Sequence, residues 1–96
     1  MASVPVSLAA SGQVVAAIAG KRIRVLGVGL VGLLATQVKF QSNATDITGA
    51  MPFAANGGVV MPAGEQPWFE TAIGEALNIN MNIATTLGGV VQYEVA

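Results

Sequence analysis

The side chains able to carry chemistry are few and scattered. Five carboxylates (Asp46, Glu65, Glu70, Glu75, Glu94), two lysines (Lys21, Lys39) and two arginines (Arg22, Arg24) stand in a chain of 96 residues with no histidine and no cysteine. Two carboxylates flanking a sugar would make a glycosidase pair, but no spacing here joins two acids to aromatic sugar platforms. A serine or threonine nucleophile needs a base, and the usual imidazole is missing. Zinc sites draw on Cys and His, and calcium loops on a run of acids at fixed offsets; neither pattern occurs. Gly27, Gly29 and Gly32 match the G-x-G-x-x-G spacing of a dinucleotide-binding turn. That motif requires a following helix and an acidic residue about 20 positions on. The chain after Gly32 reads as strand, and no acid stands near position 52. The expectation is a protein with no catalytic residues, no cofactor and no metal.

Composition points the same way. The chain is 53% hydrophobic and 9% charged, with a net charge of -1, where an average soluble domain is about 25% charged. A surface so poor in charge is expected to be covered in part by other protein. Nucleic-acid binding needs a basic face, and the only basic cluster is Lys21, Arg22 and Arg24. That cluster reads as a solvated strand start, or as one side of a salt bridge to a neighbour. The longest apolar run, 25–35, is about half the ~20 residues of a spanning helix and contains Gly27, Gly29 and Gly32. No membrane partner is expected. Pro5 and the lack of a basic start argue against a signal peptide, so the glycosylation-type triplet Asn43-Ala44-Thr45 is taken as chance.

The elements that position these residues follow a period of two. Leu77, Ile79, Met81 and Ile83 alternate with Asn78, Asn80 and Asn82, which places an apolar row on one face of a strand and an amide row on the other. Val38 and Phe40 alternate with Gln37, Lys39 and Gln41; Val91, Tyr93 and Val95 alternate with Gln92 and Glu94. Val4, Val6 and Leu8 repeat the pattern, with Pro5 marking an edge. Turns or bulges are predicted at Ser11-Gly12, Gly20-Lys21, Ser42-Asn43, Asn56-Gly57-Gly58, Pro62-Ala63-Gly64 and Gly88-Gly89. The predicted strands are 3–9, 13–19, 22–34, 36–41, 45–49, 58–61, 68–72, 77–83 and 89–95. The apolar run within 13–19 fits strand or helix by period alone and is taken as strand; a helical turn over 71–76 stays open. Many short strands between such turns make an all-β fold: one compact β-sandwich domain over 1–96, jelly-roll-like or immunoglobulin-like in topology.

The segment 23–34 breaks the alternation. Its apolar residues leave almost no polar face, so it is expected to be buried on both sides, by a loop or, as favoured here, by a second subunit. On this basis the candidate subunit or capsid interface comprises Val28 and Leu30, with Trp68 and Phe69 as core or interface anchors, and Asn78, Asn80 and Asn82 as an amide face toward a neighbour or toward solvent. Trp68 stacking on a sugar is the lesser alternative.

Several segments together carry a resemblance. They are Lys21-Arg22-Ile23-Arg24-Val25-Leu26, Val38-Lys39-Phe40-Gln41-Ser42, Thr48-Gly49-Ala50-Met51, Ala54-Ala55-Asn56-Gly57-Gly58, Trp68-Phe69-Glu70-Thr71, Gly74-Glu75-Ala76-Leu77-Asn78-Ile79-Asn80 and Gly88-Gly89-Val90-Val91-Gln92-Tyr93. Over roughly 12–96 the chain resembles the small head decoration, or cement, proteins of tailed bacteriophages, which are compact β-sandwiches. The resemblance implies a structural virion protein on the capsid surface, made in the host cytoplasm, that binds the major capsid protein at capsomer junctions and assembles as a homotrimer. A fibre, neck or tail component, or a carbohydrate-binding module, is the alternative.

Overall fold

Alternation becomes sheet wherever one side of a strand can be buried and the other left in water. In the computed structural model, which describes residues 2–96, this produces ten strands: β1 (Ala2–Leu8), β2 (Gly12–Val15), β3 (Ile23–Gly32), β4 (Thr36–Ser42), β5 (Thr45–Asp46), β6 (Met51–Phe53), β7 (Gly58–Met61), β8 (Phe69–Glu70), β9 (Leu77–Met81) and β10 (Leu87–Val95). They form two antiparallel sheets. Sheet A has the order β1-β10-β3-β7, with β8 also on β3; sheet B has β2-β9-β4-β5, with β6 also on β4. The protein is an all-β, single-domain β-sandwich.

The core lies between the sheets. Ile23, Val25, Val28, Leu30 and Val91 from sheet A meet Val38, Phe40, Leu77, Ile79 and Met81 from sheet B, all buried. Phe40 is the largest fully buried side chain, and its ring lies 4.7 Å from that of Phe69 at 40°, within the range favoured for aromatic pairs.

Polar groups inside this core are paired. The Thr71 hydroxyl, 1% exposed, accepts the Ile23 N–H at 3.0 Å. Ser42, at the end of β4, donates to the Glu75 carboxylate and accepts from the Ala72 N–H. Two hydrogen bonds join Asn43 and Ala76: the Asn43 N–H donates to the Ala76 carbonyl, and the Asn43 side-chain oxygen accepts the Ala76 N–H. These contacts tie 71–76 to the end of sheet B as a non-helical turn.

All nine predicted strands are present: those at 13–19, 22–34, 45–49, 68–72 and 77–83 are shorter than predicted, 36–41 and 89–95 extend to 36–42 and 87–95, 58–61 keeps its bounds and 3–9 shifts to 2–8. Residues 16–19 leave the sheet after Val15. β6 has no counterpart among the predicted strands, because three residues around Pro52 carry no period and become strand only by pairing with Thr36–Val38. Gly88-Gly89 is not a turn but the interior of β10, facing Val31 and Leu30 of β3. Turns do form at Asn43 (φ 52°) and Asn56 (φ 60°), residue types that tolerate the left-handed region.

Candidate docking surface

The apolar segment 23–34 does not present the side chains expected of it. Opposite β10, Tyr93 pairs with Val25 and Gln92 with Gly27, so Leu26 is an extra residue and the register shifts there. This bulge resets which residues point inward. Val28 and Leu30 are 4% and 1% exposed and sit in the core. They cannot be the neighbour-facing residues; Gly29 and Val31 hold the outer positions instead.

That outer face is covered in one half and bare in the other. At Gly27, a Cβ would meet the Ala63 Cα at 3.0 Å, so the connection from β7 to β8 folds over the sheet there. At Gly29 the nearest atom is a Val90 methyl at 4.0 Å. The registers Pro5↔Val90, Val90↔Gly29 and Gly29↔Val60 place those four residues in one row across sheet A. Beside the row, Ala63 and Pro62 wall a trough of ≈ 220 Å³.

The other named residues fall into different environments. Phe69 is half-buried against the core, which makes it a packing residue. Trp68 is 55% exposed, with its indole N–H donating to the Pro62 carbonyl at 3.0 Å. Asn78 lies in a polar row, Gln13–Asn78–Gln41–Asp46, across the outer face of sheet B. Its amide donates to the Asn43 carbonyl at 2.8 Å, while its buried Oδ1 has no partner. Asn80 sits opposite Lys39 on the same face. Asn82 is engaged within the chain: its Oδ1 accepts the Gln37 N–H at 2.7 Å.

Charge is segregated along the strands. Arg22 pairs with Glu70 at 2.9 Å, and Arg24 bridges Glu94 and Glu70. The basic cluster thus contributes to ion pairs inside its own chain at the end where β3 begins. Lys39 reaches Asp46 at 3.0 Å. Among the described residues, no charged side chain occurs in 25–38, 47–64 or 76–93. The opposite end of the sandwich is therefore uncharged. It carries Leu33, Leu34 and Ile83, each more than half exposed.

This end is well tied despite being connecting chain. The Leu33 N–H donates to the Thr86 carbonyl, Gly32 to Gly57 and Asn56 to Leu33. The Leu34 N–H donates to the Thr85 hydroxyl at 3.0 Å, and the buried Thr36 hydroxyl donates to the Ile83 carbonyl at 2.8 Å. Three aliphatic side chains are held outward on a hydrogen-bonded platform. The sequence signal that could have found it is the run of 25–38 without a charge.

Asp46 is the titratable group whose environment moves it visibly. A hydrogen bond from Gln41, then one from Lys39, hold its carboxyl below the usual carboxylate range. A depressed folded pKa contributes stability above the unfolded value of about 3.9, and that contribution is lost as pH falls through the folded pKa. The stability difference between wild type and Asp46→Asn is expected to be present at about pH 6 and to vanish in strong acid. Urea midpoints at the two pH values measure it. An equal difference at both pH values would show that the carboxylate contributes nothing.

No protein family, curated protein or solved structure matches this chain. Among the described residues, no helix is long and apolar enough to cross a membrane.

Proposed function

We propose that the protein is a structural, non-catalytic virion component of a tailed bacteriophage: a decoration protein that binds the major capsid protein at capsomer junctions on the capsid surface. It is made in the host cytoplasm and acts as a homotrimer. The sequence resemblance supplies the family; the uncharged end with Leu33, Leu34 and Ile83 is the observation that supports a docking role most. Burying large aliphatic side chains is worth about 1.5–3 kcal/mol each. A platform whose backbone is already hydrogen-bonded loses little conformational freedom on binding.

Mechanically, a cement protein must hold neighbouring shell subunits against outward pressure. Two hydrogen-bonded sheets over a packed core resist that load without disulfides, which the chain, lacking cysteine, cannot form. Cyclic trimers suit local three-fold positions, where a shell offers three copies of one patch.

The test is binding of the purified protein to shells of its own phage assembled without it. Wild type is expected to saturate a fixed set of sites and raise the temperature at which the shells break. Leu34→Glu should bind at least roughly thirtyfold more weakly, the cost of losing one strong anchor. Wild-type protein that leaves the shells bare would end the decoration reading. Equal binding by the variant would move the contact away from this end.

A further inference from the structure

An asparagine followed by glycine is open to attack by the chain on its own side-chain amide, because glycine puts no side chain in the way of the incoming nitrogen. Asn56-Gly57 is such a pair, whereas Asn43, Asn78, Asn80 and Asn82 precede Ala44, Ile79, Met81 and Ile83. The chemistry balances with water alone. The Gly57 nitrogen gives its proton to hydroxide and bonds to Asn56 Cγ; the Cγ–Nδ2 bond breaks, and Nδ2 takes a proton from water and leaves as ammonia. The resulting succinimide ring adds one water. Cleavage at Cγ gives aspartate, and cleavage at the Asn56 backbone carbonyl gives isoaspartate. Nothing is oxidised or reduced, and a carboxylate replaces a neutral amide.

The fold keeps these reactants apart. The Gly57 N–H donates to the Ala54 carbonyl at 2.8 Å, closing a turn, and Asn56, the third residue of that turn, has φ 60°. A positive φ at the third position is the type II pattern, with ψ there about 0°. At that ψ the Gly57 nitrogen eclipses the Asn56 nitrogen and stands away from the Asn56 side chain. The turn is also tied to β3: the Asn56 N–H donates to the Leu33 carbonyl at 3.2 Å, and the Gly57 carbonyl accepts the Gly32 N–H at 2.8 Å. Asn56 is exposed, so water and hydroxide reach it freely. The conformation of the turn is what withholds the reaction.

We infer that Asn56 is a deamidation site gated by this turn: the amide persists while the turn is closed and is converted when the turn opens. Conversion then follows the fraction of time the turn spends open. The place of the turn gives the reaction its consequence. No charged side chain occurs in 25–38 or 47–64, and either product puts a carboxylate beside Leu33. Isoaspartate also adds a main-chain carbon between the bonds to Leu33 and Gly32, so both cannot keep their spacing. If the decoration reading holds, on which this step rests, each opening of the docking end is recorded as an irreversible charge that weakens shell binding.

The test keeps the full chain at mildly alkaline pH, folded in buffer or unfolded in urea, while peptide mass spectrometry follows aspartate and isoaspartate at every asparagine. In urea, position 56 should convert about tenfold or more faster than Asn43, Asn78, Asn80 and Asn82, whose following side chains hinder attack. In the folded chain, conversion at 56 should slow by about tenfold or more, being confined to the open fraction. An unfolded chain in which Asn56 reacts no faster than the other four overturns the site. Equal rates at 56 in the folded and unfolded chains overturn the gate. The consequence is read separately with shells. Asn56→Asp, a residue tolerated at this φ, and wild type aged in urea and refolded should both bind about tenfold or more weakly, since an unpaired carboxylate is costly to bury. Full binding by both overturns the link to docking. Fresh wild type that leaves shells bare ends the decoration reading instead, and the two conversion rates still decide the site and its gate.

Discussion

Gly89→Ala is expected to destabilise the fold by about 4 kcal/mol or more, a loss in the range that single substitutions rarely reach. Gly89 sits in the interior of β10 with φ +151°, and a Cβ there would lie 1.8 Å from the Gly29 carbonyl oxygen and 3.0 Å from the Leu30 Cα. Both contacts are backbone of β3. That strand is paired on both sides, by β10 and by β7 and β8, so it has no room to retreat. An L side chain at this φ adds strain of about 1–3 kcal/mol. Domains hold only about 5–15 kcal/mol in total, and a chain this small sits toward the low end of that range. Gly64→Ala is the control: nothing lies within 4 Å of its Cβ position, and its effect should stay within about 0.5 kcal/mol. Urea denaturation followed by circular dichroism compares them, and equal midpoints for the two variants would sink the explanation.

Val28→Asp is the second large effect, and it separates core from interface. The Val28 side chain is flanked in register by Val91 and Met61 and lies in the buried cluster with Leu30, Val38 and Phe40. A carboxylate placed there has no cation among its cluster neighbours. Burying it unpaired costs several kcal/mol, or drives its pKa up until it is neutral. The expected result is a chain unfolded at neutral pH. Since a raised folded pKa penalises the ionised form, stability should fall as pH rises through the unfolded value of about 4 and recover partly below it. Far-UV circular dichroism at about pH 3 and pH 7 reads this out. A folded monomer at pH 7 would instead return Val28 to the surface and restore it as a contact residue. Val60→Lys, by contrast, changes an exposed side chain and should leave the fold intact.

Where one face of a strand meets the core and the other meets water, the sequence is sufficient. Leu77–Met81 and Thr36–Ser42 alternate as they must, and the buried positions are those the period selects. In 23–34 both faces are apolar, so alternation cannot tell in from out. The direction is set by the bulge at Leu26, which depends on how β10, about 65 residues later in the chain, lines up against β3. Val28 and Leu30 were therefore legible as buried but not as core. The glycines show a related ambiguity. Gly20 and Gly74 turn the chain with positive φ, whereas Gly27 and Gly89 serve close approach between backbones, and composition makes the two uses look alike.

By itself the sequence determined the all-β class, the short strands, the dearth of catalytic and metal-binding side chains, and the low charge, because these are properties of residue type and local period. The tertiary structure alone decided that the charged residues gather toward one end, that Leu33, Leu34 and Ile83 share the other, and that Val60 and Trp68 stand exposed where β7 and β8 flank β3. Those facts depend on which strands become neighbours, and most strand neighbours in this sandwich are joined by contacts between residues far apart in the chain.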